Sequence, residues 1–182
     1  MLTGLVIAAV VGGTLFFVSK TVSPKDSVET AQSIADYTIP GGEVGLRNID
    51  VGPLKMALVA SSSKPPDLVL TLVSVTGSSA KPSNSPRTSE EIVDAWQLMS
   101  DDEMGGTFEK TGKRTESKQL CGQPVSVEIE DGKMTVAEKS LPAVSYKAST
   151  RFKNSQRFVV VMANGESAQT NAESVFNSIQ CK

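Results

Sequence analysis

The chain has 182 residues, with 18 basic and 20 acidic side chains for a formal net charge of −2, 39% hydrophobic residues and no histidine. Near-neutral charge gives no field to hold nucleic acid, and without histidine the commonest general base and metal ligand are gone, with every Ser-His or Cys-His arrangement. The length beyond the apolar start, about 160 residues, suits one compact domain and is short for two.

Leu2 to Val18 carries no charged residue. As a helix, Leu2 to Ser19 spans roughly 27 Å, close to a ~30 Å hydrocarbon core, so residues 1–20 are expected to form a retained transmembrane anchor. A cleaved signal peptide would place basic residues before the apolar run and a small-x-small site after it. Only Met1 precedes the run, and Thr21-Val22-Ser23 is followed by Pro24. Gly4, Ala8 and Gly12 recur every four residues and would let another membrane helix approach closely, although glycine and alanine are also simply frequent in such helices.

Lys20 and Lys25 follow the anchor, which by the positive-inside rule alone would leave the domain in the cytoplasm. Asp26 and Glu29 offset them, and an even cysteine count, Cys121 and Cys181, suits an oxidising compartment. The expectation is an inner-membrane protein with a periplasmic or otherwise extracytoplasmic domain and a Cys121–Cys181 disulfide; two buried free thiols are the alternative.

Residues 21–26 read as a short connector, and residues 27–182 as the domain. Ser27 is expected to open a helix that ends near Asp36, with Val28, Ala31, Ile34 and Ala35 on one face and an Asp26/Glu29 capping pattern. Tyr37 to Pro40 is extended and ends at Pro40-Gly41-Gly42. Val44 to Ile49, Leu54 to Ala60 and Leu68 to Val75 read as strands of an antiparallel meander, the third apolar enough to be central.

Gly77 to Pro86 has a loop composition. Thr88 and Glu91 then cap a helix with Ile92, Ala95, Trp96 and Met99 on one face, ending at Asp101-Asp102-Glu103. Four more strands are expected over Thr107 to Lys118, Val125 to Glu130, Ser145 to Phe152 and Arg157 to Met162, with a turn at Asp131-Gly132. A last helix runs from about Ser167 to Gln180, burying Ala168, Ala172, Val175, Phe176 and Ile179.

Strands in consecutive runs with helices at the breaks indicate an α+β fold, an antiparallel sheet flanked by helices. In element order, over about 140 residues, the soluble part resembles PsbP-like α/β/α sandwich domains. It is also similar to uncharacterised bacterial single-pass proteins through Ile34-Ala35-Asp36-Tyr37-Thr38-Ile39-Pro40, Leu54-Lys55-Met56-Ala57-Leu58-Val59, Cys121-Gly122-Gln123-Pro124-Val125 and Phe158 to Met162. Cysteine at position 121 departs from that family's usual pattern. The PsbP resemblance implies an extrinsic, non-catalytic partner of a membrane complex.

Motifs for chemistry are missing. Thr111-Gly112-Lys113-Arg114 lacks P-loop spacing, Asp101-Asp102-Glu103 lacks the alternating ligands and glycine of a calcium loop, and two cysteines without histidine cannot complete a zinc site. No motif frames a Ser-Lys pair. Lys110, Lys113, Arg114 and Lys118 form a basic cluster that would meet lipid headgroups or an acidic partner, although Glu109 and Glu116 interrupt it and a solvated strand face is the plainer reading. The expected function is a non-catalytic accessory subunit, without cofactor, that contributes protein contacts to an integral membrane complex of the respiratory or photosynthetic kind. The alternative is an anchored module that binds a lipid or small ligand.

Overall fold

The computed structural model describes residues 23–77 and 103–182. Two helices, α1 (Pro24–Ile34) and α2 (Ala168–Ser178), accompany a seven-stranded antiparallel sheet of β2 (Glu43–Val51), β3 (Leu54–Ser61), β4 (Leu68–Thr76), β5 (Gly106–Leu120), β6 (Gln123–Val136), β7 (Lys139–Phe152) and β8 (Ser155–Asn164). A separate pair joins β1 (Ala35–Asp36) to β9 (Gln180–Cys181). Across the sheet the order is β2-β3-β4-β8-β7-β6-β5. Two meanders thus meet where β4 pairs with β8, with Leu70 opposite Val161 and Leu72 opposite Val159.

These two apolar strands are central because both of their faces are buried. On one face Ala57, Val59, Leu70, Leu72, Tyr146, Val159 and Val161 share a cluster with Ala31 and Ile34 of α1 and with Ala172, Val175 and Phe176 of α2. Both described helices therefore lie on the same side of the sheet. Smaller clusters occupy the other face, Met56, Leu58, Val73 and Phe158 in one and Ala60, Val69, Met104, Met134 and Met162 in the other. The fold is α+β as expected. A sandwich needs a helix layer on that second face, and the helix expected from Thr88 falls on residues outside those described, apart from Glu103. So do the expected anchor over residues 1–20 and its Gly4, Ala8 and Gly12. Among the described residues no helix is long and apolar enough to cross a membrane.

Helix α1 begins earlier than the capping pattern indicates. Ser23 is the N-cap without a side-chain cap bond and Pro24 occupies the first turn, where its missing N–H costs nothing. Pro24 to Asp26, expected as connector, are thus helical. The helix seats directly on β2, because a Cβ at Gly45 would stand 2.8 Å from the Ser27 Cβ. Helix α2 buries the residues expected of it and stops at Ser178, since Gln180 and Cys181 leave to pair with β1.

Asp131-Gly132 is not a turn, and β6 runs straight through it. A bulge between Lys110 and Gly112 of β5 lies opposite this dipeptide. The phenyl ring of Phe108 crosses Gly132 so closely that a Cβ there would be 2.7 Å from ring carbons. The glycine serves close approach, not reversal. The reversals are two-residue turns with positive φ at both positions, Cys121 and Gly122 (55° and 75°) and Ala137 and Glu138 (46° and 66°). Their placement makes β5 and β6 strands of 15 and 14 residues.

Candidate functional site

Charged groups concentrate on the β5–β6 arm at the sheet edge. Alternation along β5 aims Arg114, Glu116 and Lys118 toward α2, in register with Ile129, Val127 and Val125 of the main core. Without the bulge Lys110 would join them. With it, Lys110 pairs with Gly132 and Lys113 with Glu130, on the opposite face. The basic cluster read from the sequence is therefore divided two and two across the sheet.

On the α2 side, the Arg114 guanidinium donates to Asp131, to Glu116 Oε1 at 2.9 Å and to Gln169 Oε1 at 3.3 Å. The Lys118 ammonium donates to Glu173 Oε1 at 2.6 Å, lies 3.2 Å from Glu116 Oε2, and stands 5.7 Å from the centre of the buried Tyr146 ring. Gln169 donates to the Tyr146 hydroxyl oxygen. The hydrogen bond to Asp131 raises the pKa of Arg114, the bond to Glu173 raises that of Lys118, and the bond from Arg114 lowers that of Glu116. Arg114 and Glu116 are partly open to water and the Lys118 side chain is 13% exposed, and the shifts report mutual neutralisation within the group.

The opposite face holds an ion triad around a buried carboxylate. The Glu130 carboxylate, whose side chain is 6% exposed, accepts from Lys147 Nζ at 2.7 Å and Lys110 Nζ at 3.0 Å, while Lys113 reaches Glu128 at 2.8 Å. Burial alone would raise the pKa of Glu130; hydrogen bonds from Lys147 and Lys110 outweigh it and hold the group below its ordinary value. A carboxylate held ionised between two ammonium groups is a structural counterion and a poor proton carrier at neutral pH. Ser145 and Lys147 are two residues apart on this face, yet Lys147 is committed to Glu130 and the buried Ser145 hydroxyl has no hydrogen-bond partner. Among the described residues no group of three metal-ligating side chains occurs.

The arm's tip is fastened to the end of the chain. Cys121, in the left-handed turn of the β5–β6 hairpin, is disulfide-bonded to Cys181 of β9, with Cα atoms 4.9 Å apart. Beside this bridge, Lys182 donates its backbone N–H to the Ile34 carbonyl at 3.2 Å and its ammonium to Asp36 at 2.6 Å.

Beneath Lys182 lies Arg157, 8% exposed. Its Nη2 donates to the Lys182 main-chain oxygen at 3.1 Å, its Nε is buried without a partner, and burial lowers its pKa. Neither Arg157 nor the Glu130–Lys147 pair stands out in the sequence. Arg157 is the polar first residue of an apolar run, and Glu128 and Glu130 alternate with Val127 and Ile129 as outward residues do. The alternation reports which side chains face the helices, but not that the second face is buried as well.

No family model matches the chain, and no curated protein matches it. Similar solved structures include LpqN, involved in cell envelope biogenesis of Mycobacterium tuberculosis, at 10% identity and a TM-score of 0.40, covering 89% of this chain and 98% of that one. They also include cyanobacterial PsbP (CyanoP) from Synechocystis sp. PCC 6803, at 10% identity and a TM-score of 0.42, covering 82% of this chain and 94% of that one.

Proposed function

We propose that the protein is a non-catalytic accessory subunit, anchored by residues 1–20, whose domain lies on the extracytoplasmic side and contributes contacts to a larger integral membrane complex. The observation that carries this reading is the uncharged run from Leu2 to Val18, placed so near Pro24, where α1 begins, that the domain is held against the bilayer surface. The Cys121–Cys181 bridge supports an oxidising compartment. The charged groups of the β5–β6 arm support a role in contact and not in turnover, since they are spent on one another. Lys110 and Lys113, about half exposed on one face, are the cations of the arm best placed to meet an acidic partner as well.

Native membranes dissolved in a mild detergent, with the protein isolated under non-reducing conditions, test this. The expected result is a stoichiometric complex that is lost when Gly4, Ala8 and Gly12 are each replaced by leucine. A lone monomer that survives gentle extraction, or a complex indifferent to those substitutions, overturns the reading in its present form.

A further inference from the structure

We propose that the outer edge of β5 is an interface between two copies of this chain, joined as antiparallel strands about a two-fold axis at Thr115. Among the described residues β5 pairs on one side only, with β6, and its 15 residues form an edge of the sheet. An edge strand offers a row of main-chain donors and acceptors to another strand. Thr115 lies in the stretch between the bulge at Lys110 to Gly112 and the turn at Cys121. It is exposed, as are Lys113 and Ser117 on the same face.

What fits this edge is its own sequence reversed. A two-fold axis normal to the sheet keeps every side chain on its own face, so the paired strands must be centred on a residue. Centred on Thr115, Arg114 of each copy lies opposite Glu116 of the other, on the face that carries α2. On the other face Thr115 meets Thr115 and Lys113 meets Ser117, while Lys118 lies opposite Gly112, which has no side chain. Opposite charges and paired threonines are favourable cross-strand neighbours, and like charges are not. Centres at Lys113, Arg114, Glu116 or Lys118 put two like charges face to face, and one at Gly112 sets Lys110 against Arg114. A centre at Ser117 brings Glu116 to Lys118, whose ammonium is held by Glu173 and whose side chain is 13% exposed, and sets Arg114 against the buried Leu120. The Arg114 and Glu116 side chains are 37% and 40% exposed, so both have an open side to share with a second copy. The charges that ward off a stray strand thus admit this one.

The same axis keeps the helices of both copies on one side of a continuous sheet, since α1 and α2 share a face. Both chains therefore enter α1 from that side, which two segments anchored in one bilayer require. A strand pair without an apolar centre is weak in solution, and anchoring raises the effective concentration at which it forms. The pairing goes beyond the accessory-subunit reading, and its complementarity does not depend on a further subunit.

The test uses the full-length protein in native membranes, with the Cys121–Cys181 bridge intact and one added cysteine, briefly oxidised with copper phenanthroline and resolved without reductant. Thr115→Cys places two thiols opposite each other at a Cα separation of about 5 Å and should form a disulfide-linked dimer. Lys113→Cys and Ser117→Cys alone leave like cysteines about 13 Å apart along the strand and should give at least tenfold less, yet the two expressed together should cross-link to each other. Adding Glu116→Lys to Thr115→Cys surrounds the axis with cations and should lower the dimer yield at least tenfold; if that variant does not fold, the three exposed cysteine positions carry the test. Absence of the Thr115→Cys dimer, equal yields at all three positions, or indifference to Glu116→Lys overturns the interface. A yield greatest for Ser117→Cys alone overturns the centre at Thr115. Whether another subunit co-purifies is a separate outcome that bears only on the accessory-subunit reading.

Discussion

The β4–β8 centre of the sheet and its β5–β6 edge share one antiparallel ladder and hold together by different means. At the centre, Leu70, Leu72, Val159 and Val161 lie under helices that deliver Ile34, Val175 and Phe176, and nearly every side chain on both faces is buried. At the edge, charged residues alternate along β5, and cross-strand ion pairs, one buried carboxylate and a covalent bridge at the tip add to the burial of Val127 and Ile129. Apolar burial tolerates salt and moderate acid, whereas the edge is tuned by pH, ionic strength and redox state. An edge strand rich in lysine and arginine is also guarded against pairing with a stray strand, which a long flat apolar edge would invite.

The largest expected effect breaks the centre. Phe176→Ala removes a fully buried ring that packs 5.8 Å from the Tyr146 ring, and should cost about 3–5 kcal/mol in chemical denaturation. Replacing Cys121 and Cys181 together by serine should cost about 4 kcal/mol, the chain-entropy value for a bridge that spans 60 residues. Amide exchange should place the loss first in the β5–β6 tip and β9, with β4 and β8 least affected; equal loss across the sheet would erase the contrast between the regions.

Glu130→Gln sharpens the contrast. It leaves Lys147, whose side chain is 10% exposed, without its anion, and should cost roughly 3 kcal/mol near neutral pH. The same group sets an acid limit. Because its pKa is lowered in the folded protein, its contribution is fully present above the unfolded carboxylate value and disappears as pH falls through the lower folded value. Stability of the wild type should therefore drop more steeply than that of Glu130→Gln below about pH 4.5, and parallel pH profiles would show that Glu130 is not the group responsible. The smallest effect is at Lys113→Gln, about 0.5 kcal/mol or less and vanishing in high salt, because that lysine's ion pair is half in water.

Much of the centre was legible in the chain. The apolar runs at Leu68 to Val75 and Phe158 to Met162 identified β4 and β8, and the spacing of Ala168, Ala172, Val175 and Phe176 identified the buried face of α2, because burial on a strand or helix leaves a period in the sequence. The edge was read less well. A glycine required by the Phe108 ring looks the same as a glycine required by a turn, and Ala137-Glu138, which do turn, lack the residues that usually accompany positive φ.

By itself, the sequence determined the α+β class, the central strands, both described helices and the uncharged segment at its start, all of which follow from local periodicity and composition. Tertiary structure alone decided that a bulge would divide Lys110 and Lys113 from Arg114 and Lys118, that Glu130 would be buried between two lysines, and that Arg157 would lie under Lys182. The reason is physical. A side chain's face is set by its own strand, but its partners and its access to water are set by chain segments distant in sequence, and no local pattern records where those segments arrive.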